Sequence, residues 1–169
     1  MTTSDDNPVA ALDLQAAERM WADYLAAHPG RDQEQPPSER FGDSPALADE
    51  LLGLVTHGPK RATAGAVADY QHSGELLPRI GDHWIVHDGA GAPQVVLRSV
   101  ELRLGPLDTV DDTFAWDEGE DDRTRDAWLD SHTRYFQRTL GRIGVEFHSR
   151  IDVVFERFRV VWPPELADD

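Results

Sequence analysis

IDVVFERFRVVW, residues 151–162, is the clearest strand signal in the chain and decides how the rest can fold. Its β-branched and aromatic side chains favour a strand, which Pro163 and Pro164 end. The apolar positions change face between Phe155 and Phe158, which predicts a bulge or a barrel bend. Because an isolated C-terminal strand is not stable, it must pair with strands that lie far away in the sequence.

Upstream, the sequence predicts helices separated by short strands. Ser44 can cap a helix that begins at Pro45, and Gly58 follows its end. Residues 31–40 are polar with two prolines and are typical of a linker, whereas residues 88–91 suit a hairpin turn. The predicted elements are helices over 8–28, 45–57 and 124–143, a short helix within 105–122, and strands over 83–87, 95–104 and 151–162. In the strand over 95–104, alternation predicts one shared face for Val96, Val100, Leu102 and Leu104.

This element order predicts an α+β fold. A small mixed β-barrel flanked by helices, with an extra N-terminal helix, brings the distant strands together. We divide the chain into an N-terminal helix and polar linker (residues 1–40), one domain (41–162) and a tail (163–169).

Composition narrows the classes of function. The chain has 169 residues, a net charge of −16 and no cysteine, which excludes disulfides and thiolate metal sites. It contains no apolar run long enough to span a membrane and no signal-peptide pattern, so we expect a cytoplasmic protein without a membrane partner. Residues 105–122 contain eight acids and no base, whereas residues 123–150 contain six arginines and three acids. This segregation of charge permits a local basic surface on an acidic protein.

Lys60 is the only lysine beside fifteen arginines. Lysine can lose its proton when it is desolvated, whereas arginine effectively cannot. Lys60 and Thr63 are three residues apart, so they share a face on a helical turn but point to opposite faces of a strand. A joint role for the two therefore requires a turn-like backbone between Gly58 and Thr63.

Five ordered features resemble the ASCH domain of the PUA-like superfamily and cover about residues 41–162. They are the segment FGDSP at 41–45, the motif Gly-x-Lys-x-x-Thr at 58–63, IGD at 80–82, the acidic stretch DEGED at 117–121, and FERFRVV at 155–161. The resemblance implies a bacterial PUA-like barrel with a cleft between barrel and helices, and an association with RNA. Some members are ribonucleases that act on single strands, and one branch hydrolyses N4-acetylcytidine. Its catalytic set implies Lys60, Thr63 and Glu118 here, with Glu120 as the next candidate for the acid.

These residue types suit acyl transfer. A deprotonated Lys60 could accept the hydroxyl proton of Thr63, which would attack the acyl carbon. Glu118 could then position water or pass a proton to the leaving amine. In the alternative interpretation, Lys60 contacts a phosphate and Thr63 is a hydrogen-bonded turn residue.

A second group of residues is a candidate surface for RNA or a nucleoside. Arg134, Arg138 and Arg142 form a stripe at helical spacing, bordered by Trp128 and Tyr135. Arginines interleaved with aromatic rings suit single strands, although an exposed basic helix face that forms ion pairs with the acidic segment is the commoner outcome for such a stripe. We add Arg61 beside Lys60 to this binding set. We also add Tyr70, which could stack on a base or fill the core.

The sequence predicts no metal site and no required cofactor. The seven histidines do not form a metal-binding pattern, and His132 is interpreted as a core histidine. Only ribonuclease chemistry would call for Mg²⁺ or Mn²⁺. No Walker motif and no Gly-x-Gly-x-x-Gly motif is present.

Three hypotheses for function follow. The first is an RNA-binding module that acts on single-stranded RNA as a ribonuclease, in a cleft carrying Lys60. The second is an amidohydrolase for N4-acetylcytidine or a related modified nucleoside. The third is a non-catalytic RNA- or nucleotide-binding regulator. The net charge favours a small neutral ligand, whereas the arginine stripe favours RNA. The oligomeric state is left open.

Overall fold

The computed structural model describes residues 9–31 and 34–169. The helices in this part of the chain are α1 (Leu14–Ala27), α2 (Pro45–Thr56), α3 (Val67–Ser73), α4 (Asp112–Glu118) and α5 (Arg125–Arg142), with a short 3-10 helix at Leu107–Thr109. The strands are β1 (Ser38–Glu39), β2 (Ala62–Ala66), β3 (His83–His87), β4 (Pro93–Pro106) and β5 (Asp152–Trp162).

The strands form one mixed sheet in the order β1-β3-β4-β5-β2. The β1–β3 pair is parallel, and the other three pairs are antiparallel. This arrangement confirms the predicted α+β fold. The predicted barrel is not closed, because β1 and β2 lie at opposite edges of the sheet and do not pair within the described residues. Strand β1 lies inside the segment that we predicted as a linker.

Strand β5 contributes to the core on both faces of the sheet. Val153 and Phe155 pack in one cluster with side chains of α4 and α5. Phe158 and Val160 pack in another cluster with side chains of α2. The apolar side chains of β5 change face because the first half of the strand packs against α4 and α5 and the second half packs against α2. The register does shift opposite Phe158, but the additional residue is Val100 of β4.

This shift corrects the predicted alternation of β4. Val96 is buried, whereas Val100 and Leu104 are 39% and 60% exposed. Because Val100 is the additional residue between two registers, the residues on either side of it do not continue one face. At the start of the strand, Val95 and Leu97 pack beneath α2 while Val96 packs beneath α1. Both faces are therefore covered at this point.

Local signals place the two long helices of the domain close to their predicted bounds. The Ser44 hydroxyl accepts a hydrogen bond from the Leu47 amide at 3.2 Å, and α2 begins at Pro45 as predicted. Thr124 caps α5 in the same way through the Ala127 amide at 3.2 Å. These caps satisfy amides that have no partner within the helix. No described helix is long and apolar enough to cross a membrane.

Helix α1 packs on the sheet through aromatic residues. It begins at Leu14 rather than at the predicted residue 8, and residues 1–8 lie outside the described part. Trp21 stacks on Tyr24 with ring centroids 5.1 Å apart, and its edge meets the His83 ring of β3. The Tyr24 hydroxyl is hydrogen-bonded to Nε2 of His83 at 3.0 Å. The N-terminal helix thus shares a core with the sheet.

Replacement of Trp21 by alanine should destabilise the whole fold. Its side chain is 4% exposed, so Trp21→Ala is expected to lower the free energy of unfolding by about 3–5 kcal/mol. The control is Leu14→Ala in the same helix, where the side chain is 59% exposed and the change should stay within about 0.5 kcal/mol. Urea denaturation followed by circular dichroism measures both variants. Equal midpoints would show that α1 does not stabilise the domain.

Candidate functional site

A cleft of about 800 Å³ opens between the sheet and the helices. Glu39 of β1 and Thr63 of β2 both line it, so the gap between the two edge strands opens into the cleft. The three residues that the resemblance implied as catalytic also line it: Lys60, Thr63 and Glu118. The motif at 58–63 and the acidic stretch at 117–121 therefore meet at one place, although they are far apart in the sequence.

The backbone around Lys60 allows Lys60 and Thr63 to face the same cleft. Strand β2 begins only at Ala62, and Lys60 lies in the irregular segment that precedes it. The Lys60 amide donates to the carbonyl of Leu54 at 3.1 Å, which ties this segment to the end of α2. Nζ of Lys60 turns back to donate to the carbonyl of Ala62 at 2.8 Å. The turn-like backbone that a joint role requires is therefore present.

A close backbone approach joins the lysine segment to the acidic stretch. The Arg61 amide donates to the carbonyl of Asp117 at 2.8 Å. Gly119 ends α4 in the left-handed conformation, with φ of 71°. A Cβ atom at this position would lie 2.9 Å from Cγ of Pro59 and 3.0 Å from the Lys60 amide nitrogen. Glycine is required here both by the conformation and by the available space.

Glu118 is the centre of a buried polar network and is only 2% exposed. Its carboxylate accepts hydrogen bonds from Nε1 of Trp128 and, at 2.9 Å, from Nε2 of His132. Nζ of Lys60 donates to the same carboxylate at 3.5 Å. Burial alone would raise the pKa of Glu118, but the positive charges of His132 and Lys60 and these hydrogen bonds lower it below its ordinary value. Glu118 is therefore held as a carboxylate.

His132 takes part in the site, which the sequence interpretation missed. Its Nδ1 lies 2.9 Å from the carbonyl of Trp128 and its Nε2 faces the Glu118 carboxylate, so both partners are acceptors and both nitrogens carry protons. Burial lowers the pKa of His132, but Glu118 and Glu120 together raise it above its ordinary value. One signal was available, because Trp128 and His132 are four residues apart and share a helix face.

Glu120 stands between this network and the open cleft, and its side chain is 16% exposed. One of its carboxyl oxygens lies 3.7 Å from Nζ of Lys60, and the other lies 3.8 Å from Nε2 of His132. Burial and the neighbouring charge of Glu118 raise the pKa of Glu120 to about 7, although the charge of Lys60 opposes the shift. Glu120 can therefore exchange a proton near neutral pH, whereas Glu118 cannot.

Three of these groups could also hold a divalent cation. One ligand atom from each of Glu118, Glu120 and His132 can be chosen so that all lie within 4.8 Å of one another. Carboxylate oxygens with an imidazole suit Mn²⁺ better than Mg²⁺, which prefers oxygen alone. Nζ of Lys60 already approaches both carboxylates and supplies a positive charge there.

The predicted binding residues separate into three groups. Tyr70, Tyr135 and Arg138 line the cleft, as does Arg134. Trp128 is 3% exposed and does not line the cleft, and it stacks on His132 with ring centroids 3.8 Å apart. Arg61 pairs with Asp168 near the C-terminus at 2.8 Å and does not line the cleft.

The arginine stripe of α5 is paired with acids, although not with the acidic segment at 105–122. Arg138 and Arg142 both bind the carboxylate of Asp43, at 2.6 Å and 2.8 Å. Arg134 pairs with Asp130 one turn earlier in the helix at 2.9 Å. Most of the positive charge that the stripe could offer to phosphates is thus compensated by the protein itself.

Comparisons with known proteins give the family and support the fold. A family model of the ASCH domain matches residues 38–162. The solved structure of a protein from Enterococcus faecalis V583 is 31% identical, with a TM-score of 0.81 over 88% of this chain and 89% of that one. The structure of an ASCH domain from Lactobacillus crispatus JV V101 is 24% identical, with a TM-score of 0.80 over 88% and 96% of the two chains, and supports the fold alone. No curated protein matches the chain.

The close contact at Gly119 predicts that adding one methyl group there, by substitution with alanine, lowers the stability of the fold. Gly119→Ala should lower the free energy of unfolding by at least about 1 kcal/mol, because alanine is strained in this conformation and would press on Pro59 and Lys60. The control is Gly141→Ala in α5, where the new Cβ meets no atom within 4 Å and should stabilise the helix by about 0.5–1 kcal/mol. Thermal unfolding of both variants measures the difference. A Gly119→Ala protein as stable as wild type would contradict the described junction.

Proposed function

Because the chain belongs to the ASCH domain family, we propose that it hydrolyses an acyl group from the amine of a modified nucleoside such as N4-acetylcytidine. The observation that carries the proposal is the convergence of Lys60, Glu118 and Glu120 on one cleft that Thr63 also lines. This set supplies a hydroxyl nucleophile, a fixed positive charge and a carboxylate that titrates near neutral pH, which are the groups that acyl transfer needs.

In the proposed reaction, Thr63 attacks the acyl carbon and gives its hydroxyl proton to Glu120. Lys60 stabilises the negative charge that develops on the acyl oxygen, which its ion pairs suit better than proton abstraction. The carbon–nitrogen bond then breaks, and Glu120 returns the proton to the leaving amine. Water hydrolyses the resulting ester, with Glu120 again taking a proton, and Thr63 is regenerated. Glu118 and His132 position Lys60 and Glu120.

The electrostatics of the cleft support a small neutral substrate over a long polyanion. Six carboxylic acids line the cleft: Glu39, Asp69, Glu75, Glu118, Glu120 and Glu156. Three arginines line it as well: Arg138 is paired with Asp43, Arg134 with Asp130, and Arg40 donates to the backbone carbonyls of Asp88 and Ala10. RNA binding depends on cations that are free to replace the counterions of phosphates. The net charge of −16 acts in the same direction.

Single-stranded RNA is the second candidate substrate. ASCH domains are generally thought to bind RNA. Tyr70 and Tyr135 both line the cleft, and the guanidinium of Arg138 lies 5.5 Å from the Tyr135 ring centroid. Aromatic rings beside an arginine suit unstacked bases. A ribonuclease reaction would employ Mg²⁺ or Mn²⁺ at Glu118, Glu120 and His132, and a binding module without catalysis would use the same cleft.

Removal of the Thr63 hydroxyl should abolish deacetylation. Thr63→Val keeps the β-branched shape in β2 and is expected to lower kcat for N4-acetylcytidine by about 10³-fold or more. Release of cytidine, measured by chromatography, reports the loss. The matched control is Thr113→Val on the exposed side of α4, which should retain wild-type turnover.

A parallel incubation with labelled single-stranded RNA, with and without Mg²⁺ or Mn²⁺, distinguishes the candidates. Cleavage of RNA without deacetylation by the wild-type protein would overturn the amidohydrolase proposal in favour of a ribonuclease. An absence of both activities would favour a binding module. RNA binding would also weaken steeply as salt is added, whereas nucleoside turnover would hardly change.

The pH dependence of kcat/KM should follow the ionisation of Glu120. A general base works only when deprotonated, so kcat/KM should be low below pH 6, rise through a midpoint at about pH 7 and level off above it. Glu120→Gln is expected to lower kcat/KM by about 10²-fold or more and to remove this rise. Glu165→Gln on the exposed C-terminal segment is the control and should keep both. A profile that still rises at pH 7 in Glu120→Gln would assign the base to another group.

A further inference from the structure

A second cavity of about 610 Å³ adjoins the cleft. The two share five lining residues: Glu39, Tyr70, Glu75, Trp84 and Glu156. Thr63 is paired in register with Glu156, so the proposed nucleophile lies directly beside this boundary. None of the reactive side chains of the cleft lines the second cavity: Lys60, Thr63, Glu118, Glu120 and His132. The second cavity is thus placed to hold a non-reacting part of the same ligand.

Trp84 carries, beside this cavity, a hydrogen-bond donor that the protein leaves unused. The side chain is 7% exposed and lines both cavities, and its Nε1–H has no partner among the described residues. A buried donor without an acceptor costs about 1–3 kcal/mol. Since indole nitrogen can only donate, the missing partner is an acceptor, such as the oxygen of a hydroxyl group.

His83 lines the same cavity and carries a second unpartnered atom. Its Nε2 is bound to the Tyr24 hydroxyl at 3.0 Å, whereas its Nδ1 has no partner in the described part of the chain. Burial, followed by the charges of Arg31 and Arg98, lowers the pKa of His83 to about 4, so the ring is neutral at pH 7. A hydroxyl group can both donate and accept, and it therefore suits Nδ1 in either tautomer.

Carboxylic acids complete the lining with hydrogen-bond acceptors. Glu39, Glu75 and Glu156 lie at the boundary, and Glu34 and Asp82 line the second cavity alone. Burial, with the charges of Glu75 and Glu156, raises the pKa of Glu39 to about 7. These oxygens can accept hydrogen bonds from sugar hydroxyls, in the way that carboxylates bind a ribose 2′-hydroxyl in dinucleotide sites. One arginine, Arg79, also lines the cavity and lies 4.0 Å from Asp82, so five carboxyl groups against one cation disfavour a phosphate.

We propose that the second cavity binds the ribose of an unphosphorylated nucleoside, with Trp84 and the boundary carboxylates as the groups that recognise it. The ligand must offer several hydroxyls at once and no negative charge, which a ribose does and a phosphorylated ribose does not. This assignment rests on the proposed function, because it seats the base and its acyl group in the cleft. It makes the protein selective for free nucleosides over nucleotides and over RNA.

Calorimetric binding of product-like ligands tests the assignment independently of turnover. Cytidine, cytosine and cytidine 5′-monophosphate would be titrated into the wild-type protein. Cytidine should bind about tenfold more tightly than cytosine, as one or two ribose hydrogen bonds would give. The 5′-monophosphate should bind at least about tenfold more weakly than cytidine, because its charge meets the acidic lining.

Two variants separate the two parts of this recognition. Trp84→Phe removes the indole donor and should bring the affinity for cytidine close to that for cytosine. Glu39 is ionised above its pKa of about 7, so at pH 8 Glu39→Gln removes a negative charge and should narrow the difference in affinity between cytidine and its 5′-monophosphate. Trp116→Phe, at a side chain that is 57% exposed and lines neither cavity, is the control and should leave all three affinities unchanged.

The outcomes keep the two proposals distinct. Equal affinities for cytidine and cytosine, or tighter binding of the 5′-monophosphate, would overturn the ribose site even if N4-acetylcytidine is hydrolysed. A failure to bind any of the three ligands would overturn it as well. Selective binding of cytidine without hydrolysis of N4-acetylcytidine would support the ribose site and overturn the amidohydrolase function.

Discussion

The buried carboxylate of Glu118 is the constraint on which the site depends. An ionised carboxylate away from water is unfavourable unless charged and hydrogen-bonding partners surround it. Here the partners come from two other parts of the chain, Lys60 before β2 and Trp128 with His132 on α5. The motif segment, the end of α4 and the middle of α5 must therefore converge before the carboxylate can be buried. The hydrogen bonds and ion pairs of the Glu118 carboxylate therefore fix the relative positions of these three segments.

The same network divides two neighbouring carboxylic acids between different roles. Glu118 and Glu120 are separated only by Gly119, whose left-handed backbone turns the chain at the end of α4. Glu118 is compensated by His132, Lys60 and Trp128, which hold it ionised. Glu120 lies beside that fixed negative charge and is less well compensated, so its proton is retained up to about pH 7. Opposed shifts of this kind in one pair commonly separate a positioning group from an acid or base.

Features that depend on neighbouring residues could be predicted from the sequence. Strand pairing and contacts between groups far apart in the sequence could not. Ser44 predicts the start of α2 because a helix cap contacts residues only a few positions away in the sequence. Strand β1 has two residues and exists through its pairing with β3, which no local propensity reveals. Lys60 and Thr63 were found through a motif. The roles of His132 and Trp128 depend on Glu118 reaching them from 14 and 10 residues away, and the pairing of the arginine stripe depends on Asp43, about 100 residues upstream.

The pairing with Asp43 also bears on the proposal of a small neutral ligand. Arg138 and Arg142 are drawn to one acid beside the start of α2, which fastens α5 to that loop and neutralises part of the rim. The buried positive charges of the site are Lys60 and His132, and a carboxylate already faces each of them. A long polyanion would have to pass the acidic walls to reach them. An amide is neutral when it enters the cleft and meets no such barrier. Its carbonyl oxygen becomes negative only when the nucleophile attacks, and Lys60 can then stabilise that charge.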